Sequence, residues 1–146
     1  MTTGPLPTIV TTAMDFKLVL TAERSVSVPA LFDYAAHEPF SVRATCRTSE
    51  GDVNWVFARE LLAGGLRKPT GEGDIAVWPS KSNGHDVLCL SLSSPSGQAL
   101  MEAPFEEVED FLARTFTVVP AGSEGAMLDM DSLIDRLLDD GGAANL

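Results

Sequence analysis

The sequence is short of positive charge, of cysteine and of long apolar runs, and each shortage removes a class of function. Lysine and arginine number 10 against 21 aspartates and glutamates, a formal net charge of −11. Nucleic-acid binders draw most of their affinity from cations that neutralise phosphates. This chain would bind against its own field, so generic nucleic-acid binding is not expected. The imbalance is also uneven. Residues 1–73 carry seven Lys/Arg and eight Asp/Glu, whereas residues 74–146 carry three and thirteen. The cations therefore concentrate in the first half, with Arg43 and Arg47 on one strand face and Arg59, Arg67 and Lys68 around a short helix. No stretch approaches the ~20 consecutive apolar residues that span a bilayer, so no membrane-spanning segment is expected. The opening MTTGPLPTIVTTAM has neither a basic n-region nor a long apolar h-region and does not read as a signal peptide. Residues 1–13 are expected to be a flexible lead-in. The 2 cysteines, Cys46 and Cys89, lack CxxC spacing and sit in strand-like runs. They read as reduced core thiols of a cytosolic protein.

What remains is enough for a core. With 146 residues and 45% hydrophobic content, the simplest organisation is one domain. From residue 14 the apolar pattern has period two, as half-buried strands require. Phe16, Leu18 and Leu20 alternate in DFKLVLTAE, and Val26, Val28, Ala30 and Phe32 do so in SVSVPALFDY. Val42, Ala44 and Cys46 follow in FSVRATCRT, then Val53, Trp55 and Phe57 in VNWVFA. ARELLAGGL is expected to make a short helix stopped by Gly64 and Gly65, since glycine supplies a left-handed helix end. A second round comprises the strands DIAVWPS, VLCLSLSS and QALMEA, with turns at SNGHD and SPSG. PFEEVEDFLARTF is the clearest helix, with Phe105, Val108, Leu112 and Phe116 as its apolar stripe. The expected order is four strands and a short helix, then three strands and a longer helix. After the linker VVPAGSEGAM, residues 126–146 are expected to hold an amphipathic helix with Met130, Leu133, Ile134, Leu137 and Leu138 on one side. So short a helix is marginal alone and needs a surface to lie on.

The chemistry-bearing motifs are thin. In LRKPTGEGDIAVWPS the cations precede the glycines, and the loop runs from helix into strand. A phosphate cradle has the opposite order, so that amides at a helix start converge on the anion. Pro69 also removes a donor. The loop reads as a rigid scaffold turn in which Pro69 fixes one dihedral and Gly71 and Gly73 permit positive ones. His37 and His85 fall in turns with no second ligand at zinc spacing, and the serines of SLSSPSGQ show no GxSxG order. The carboxylates of 102–110 read as a solvated helix face, and Trp55 and Trp78 as core or interface anchors. No catalytic residue, metal, cofactor or small-molecule substrate is expected.

WVFARELLAGGLRKPTGEGDIAVWPS, followed by VLCLSLSSPSGQALMEAP, resembles the SsgA-like proteins, the sporulation-specific cell-division proteins of actinomycetes. The likeness is dense over 55–104 and extends more weakly over 14–125, taken here as the single SsgA-like domain. Its elements are WVFAR, an RPTG-type turn and VWPS, so Trp55, Pro69, Gly71, Gly73, Trp78 and Pro79 are its structural marks. The second element reads Arg67-Lys68-Pro69-Thr70-Gly71 here, with a lysine inserted. The resemblance implies an α+β fold akin to Whirly-type and guide-RNA-binding proteins, a twisted antiparallel barrel-like sheet with helices, assembled as a trimer. It also implies a non-enzymatic cytoplasmic protein at division septa whose partner is the tubulin-like FtsZ or a sibling SsgA-like protein. Because fold relatives bind single strands, the alternative is a single-stranded nucleic-acid binder on the same fold, which the charge opposes. The resemblance makes FtsZ acidic too, so contact should use apolar or locally basic patches. The expected partner or oligomer surface is Pro120 and Gly122 of the linker with Leu133, Ile134, Leu137 and Leu138, then Arg59, Arg67 and Lys68.

Overall fold

The computed structural model describes residues 9–95, 97–126, 133–134 and 136–138. Among them, strands β1 (Ile9–Thr21), β2 (Arg24–Ala35), β3 (Ser41–Thr48) and β4 (Gly51–Ala58) form an antiparallel meander that ends in helix α1 (Arg59–Gly65). A second meander follows, of β5 (Thr70–Glu72), β6 (Ile75–Ser82), β7 (His85–Ser94) and β8 (Gly97–Pro104), ending in helix α2 (Phe105–Val118). The meanders join edge to edge through β1 and β8, giving one sheet in the order β4-β3-β2-β1-β8-β7-β6-β5. The joint is short, with Lys17 opposite Glu102 and Leu18 opposite Met101. The sheet curls into a half-barrel, and both helices lie against its inner face.

Alternation carries the core. Phe16, Phe32, Tyr34, Val42, Ala44, Cys46 and Phe57 are buried at every second position of their strands. The Phe32 ring meets Phe16 edge-on at 5.5 Å and Phe111 of α2 at 5.2 Å, so the second helix is packed onto the first meander. The Asn83-Gly84 turn has both residues at positive φ, 51° and 81°, as the tight hairpin between β6 and β7 requires. Pro29 marks the point where β2 loses its β3 partner, since that pairing runs only from Ala30 to Asp33. Pro79 lies beyond the β5 pairing of β6, on an open edge where a missing N–H costs nothing.

Four expectations need correction. β1 begins at Ile9, so residues 9–13 are strand and not lead-in; residues 1–8 lie outside the described residues. The second round has four strands, because Thr70–Glu72 pairs with Val77–Ile75, and Gly71 is therefore extended strand without a positive φ. Only Gly73 of that loop takes the left-handed region, at φ 62°. Neither Gly64 nor Gly65 is left-handed, and α1 ends through a right-handed Leu66. Gly65 is needed for another reason: a Cβ there would stand 2.3 Å from Cγ1 of Val77, so α1 lies almost on the strand. The buried face of α2 is also turned from the expected stripe. Val108, Phe111, Leu112 and Thr115 are buried, while Phe105 and Phe116 are half-buried. Pro104 caps that helix from outside, in extended conformation.

Both thiols are buried and free. Burial pushes Cys46 up to about 11. Cys89 is raised by burial and by the neighbouring Glu102 charge, against a hydrogen bond with Ser80 that lowers it. A thiolate, not a thiol, attacks disulfide reagents. Ellman's reagent at neutral pH should therefore find no reactive thiol in the native protein and 2 after unfolding in guanidinium. Fast native reaction at either position would show that the core around it is open.

Candidate functional site

The strand β4 carries inward-facing residues at alternate positions, and the chain keeps that phase for one residue after the strand ends. The Arg59 amide still donates to the Phe40 carbonyl at 2.8 Å, which holds the start of α1 in register with the sheet. Its side chain therefore points inward after Phe57 and is 1% exposed. A buried cation survives only when charge and hydrogen bonds meet it. Arg59 Nη1 donates to the carbonyls of Thr115 at 3.1 Å and Val119 at 2.8 Å, both at the C-terminus of α2. Both lie at the negative pole of the helix; the Thr115 carbonyl also accepts from the Val119 amide at 2.9 Å, so Arg59 is its second donor. Nη2 pairs with Glu124 Oε2 at 2.6 Å. The guanidinium lies over the Phe116 ring at 4.1 Å, and its carbon is 4.9 Å from the Tyr34 ring centre. Nε, equally buried, has no hydrogen-bond acceptor among the described residues.

This node fixes the path of the chain beyond α2. The amide of Ser123 bonds the Pro120 carbonyl at 2.9 Å, and Gly122 sits at φ 88°, closing a turn. Glu124 then reaches back with Oε1 to the Gly122 amide at 2.8 Å while its other oxygen holds Arg59. The Arg59 hydrogen bond is the main cause that holds the Glu124 carboxyl below the usual carboxylate range. Tyr34, which donates to the Pro39 carbonyl at 2.9 Å, is pushed up by burial, partly against the pull of Arg59.

Beside the node runs an open groove of about 620 Å³. Ala58, Ala63, Gly64 and Phe116 contribute its apolar surface, Phe40 stands at its side 51% exposed, and Arg67 and Glu60 contribute charge. A second depression, beside the start of α2, holds Asp15, Asp86, Glu102, Glu106 and Glu107 with Lys17 and His85. No group of three or more side chains among the described residues is placed as a metal ligand set.

The structure sorts the expected surface residues into four groups. Arg59 is not part of a basic patch, because its charge is spent inside the fold. Arg67 and Lys68 are exposed just beyond α1 and make no ion pair among the described residues. Pro120 and Gly122 are exposed at the turn that Arg59 holds. Leu133, Ile134, Leu137 and Leu138 are helical and 44%, 45%, 61% and 74% exposed. Trp55 is half-buried against the core and Trp78 half-buried on the outer side of β6. Sequence reasoning missed Glu124 and Tyr34 as partners of Arg59, and no local motif marks either.

The architecture and the sequence both have solved and named relatives. Residues 28–124 match the family described as Streptomyces sporulation and cell division protein, SsgA. The sporulation-specific cell division protein SsgB of Streptomyces coelicolor is 47% identical over 132 residues, covering 90% of this chain and 96% of the relative. SsgB of Frankia casuarinae is 41% identical, over 88% and 91% of the two chains. A solved SsgB structure from Streptomyces coelicolor superposes with TM-score 0.82 at 47% identity, covering 86% of this chain and 99% of that one. The crystal structure of an SsgA-like sporulation-specific cell division protein from Thermobifida fusca gives TM-score 0.83 at 35% identity, over 92% and 98%. On a family match over residues 28–124, which hold the Arg59 node, and 47% identity over 90% of the chain, the chain belongs to the SsgA family of Streptomyces sporulation and cell division proteins.

Proposed function

We propose that the protein is a non-enzymatic cell-division adaptor that helps to position and promote FtsZ assembly at sporulation septa. The observation that carries this reading is the likeness to sporulation-specific cell division proteins over nearly the whole length of both chains. It acts in the cytoplasm at division septa, as a homotrimer, on FtsZ directly or together with a sibling SsgA-like protein. The fold supports a binding role in one further way. Its buried charge is tied up in structure, while its unpaired cations and its exposed leucines lie at the surface.

A multi-subunit body offers several identical patches. Weak contacts then add up when a filament presents repeated sites, whereas a free FtsZ subunit engages only one. Anything that binds the polymer in preference to the subunit lowers the concentration at which polymer forms, without touching nucleotide chemistry. In a pelleting assay with FtsZ and GTP, the protein should sediment with filaments and increase the pelleted FtsZ near its critical concentration, at unchanged GTP turnover per polymerised subunit. Protein that stays in the supernatant, alone and with a sibling SsgA-like protein added, would remove the adaptor reading.

A further inference from the structure

We infer that the groove between α1 and the 120–124 turn is the seat for the last helix of a second copy of this chain. The groove and the helix are each unpartnered in one copy, and their chemistries match. Leu133, Ile134, Leu137 and Leu138 repeat at one-and-four spacing, so they form a stripe about two turns long that water now covers. The groove offers Phe116 and the half-exposed Phe40 as apolar walls. Ala63 and Gly64 keep the floor low, so that a helix can come close.

The charges agree with the shapes. The segment 129–140 carries Asp129, Asp131, Asp135, Asp139 and Asp140 against Arg136 alone. At the groove, Arg67 contributes to the lining and Lys68 is exposed beside it, with no carboxylate paired to either among the described residues. Arg59, the other cation of the lining, is engaged by Glu124. Glu60 is the acid on the same wall, and Arg136 is the cation that the segment can bring to it. An acidic amphipathic helix is thus what this groove fits, and the chain carries one.

None of Leu133, Ile134, Leu137 and Leu138 is among the residues that line the groove of the same copy. The chain leading to them is held at Glu124, and the stripe beyond remains open to solvent. A groove on one copy and a helix on the next make a head-to-tail contact, which repeats until the rotation closes a ring. This goes beyond the adaptor reading and shares with it only the multi-subunit body.

Cross-linking tests the contact in the full-length protein. One batch carries Ala63→Cys and another carries Leu137→Cys; Cys46 and Cys89 are buried and remain. Mild oxidation of the mixture should give a disulfide-linked pair of chains that neither batch alone forms. A second reporter pair, Ala121→Cys with Leu133→Cys, covers a shift of the helix along the groove. Reversing charge with Arg67→Glu and Lys68→Glu should cut the mixed cross-link by about tenfold, equivalent to ~1.4 kcal/mol of contact. The same change should lower the mass seen by light scattering, with an unchanged circular-dichroism melt. Cross-linking only within one chain that carries both cysteines would give the groove to its own helix and overturn the proposal. So would the absence of any cross-link from both reporter pairs. Failure of FtsZ pelleting with the cross-link intact would break the adaptor reading alone.

Discussion

Replacing Arg59 with methionine should lower the stability of the fold by about 3–5 kcal/mol, a large part of the 5–15 kcal/mol that a domain of this size has. Methionine keeps most of the volume and the contact with Phe116, so lost packing is a minor part of the cost. The main part is polar. The Val119 carbonyl loses its side-chain donor in a buried place, and an unsatisfied buried acceptor costs about 1–3 kcal/mol, while the Thr115 carbonyl keeps the Val119 amide. Glu124 loses its counter-charge, although its side chain is 17% exposed and can turn to water. Arg59→Lys should recover only part of the loss, because one ammonium cannot span two carbonyls and a carboxylate as the planar fork does. By contrast, Arg67→Met on the surface should stay within about 0.5 kcal/mol. Urea unfolding at neutral pH measures all three, and an Arg59→Met variant as stable as the parent would refute the role given to the node.

The same node predicts an acid-side effect with a definite sign. Glu124 has a folded pKa depressed below the ordinary value of 4.5. Its contribution is therefore present above that value and is lost as the pH falls through the lower folded pKa. Arg59→Met removes the main cause of the depression, so the variant should lose less additional stability on acidification than the parent.

Much of this fold was legible because it is local. Strand alternation from Phe16 to Phe57, the Asn-Gly turn and the Pro104–Phe116 helix are patterns of neighbours in sequence. β5 was not legible, since three residues are too few to show a period, and its existence depends on β6. The Arg59 node shows where the site reading failed and where it need not have. Charge alone places an arginine outside, which is right for most arginines. Yet Val53, Trp55 and Phe57 set an alternation whose next member is Arg59, and that phase was the available signal. Its hydrogen-bond partners, 56 to 65 residues away, carry no comparable mark. The exposure of Arg67 and Lys68 and the helical state of Leu133, Ile134, Leu137 and Leu138 were legible because both are again local properties, while Met130 lies outside the described residues.

Gly65→Ala should destabilise the protein by about 1–3 kcal/mol, although alanine is the better helix former by about 1 kcal/mol. The backbone there is not left-handed, so the change brings no dihedral strain. Space decides the sign. The new methyl would lie 2.3 Å from Cγ1 and 2.7 Å from Cβ of Val77, far inside the ~3.5–4.0 Å at which carbons attract. Val77 cannot retreat, because it is fully buried and its strand is paired to Thr70 on one side and Leu90 on the other. The helix must move instead, and it carries Arg59 at its first residue and the groove floor along its length. Gly64→Ala is the control: its methyl meets the Thr70 hydroxyl at 3.1 Å, a half-buried group that can turn aside, so helix propensity should leave that variant at or slightly above parent stability. Val77→Ala removes the clashing carbon, and Gly65→Ala combined with it should be clearly more stable than the sum of the two single losses predicts. Urea melts of the four variants settle the point. A Gly65→Ala protein as stable as the parent, or a double variant whose losses simply add, would show that α1 does not rest on Val77 and that the groove floor is set by something else.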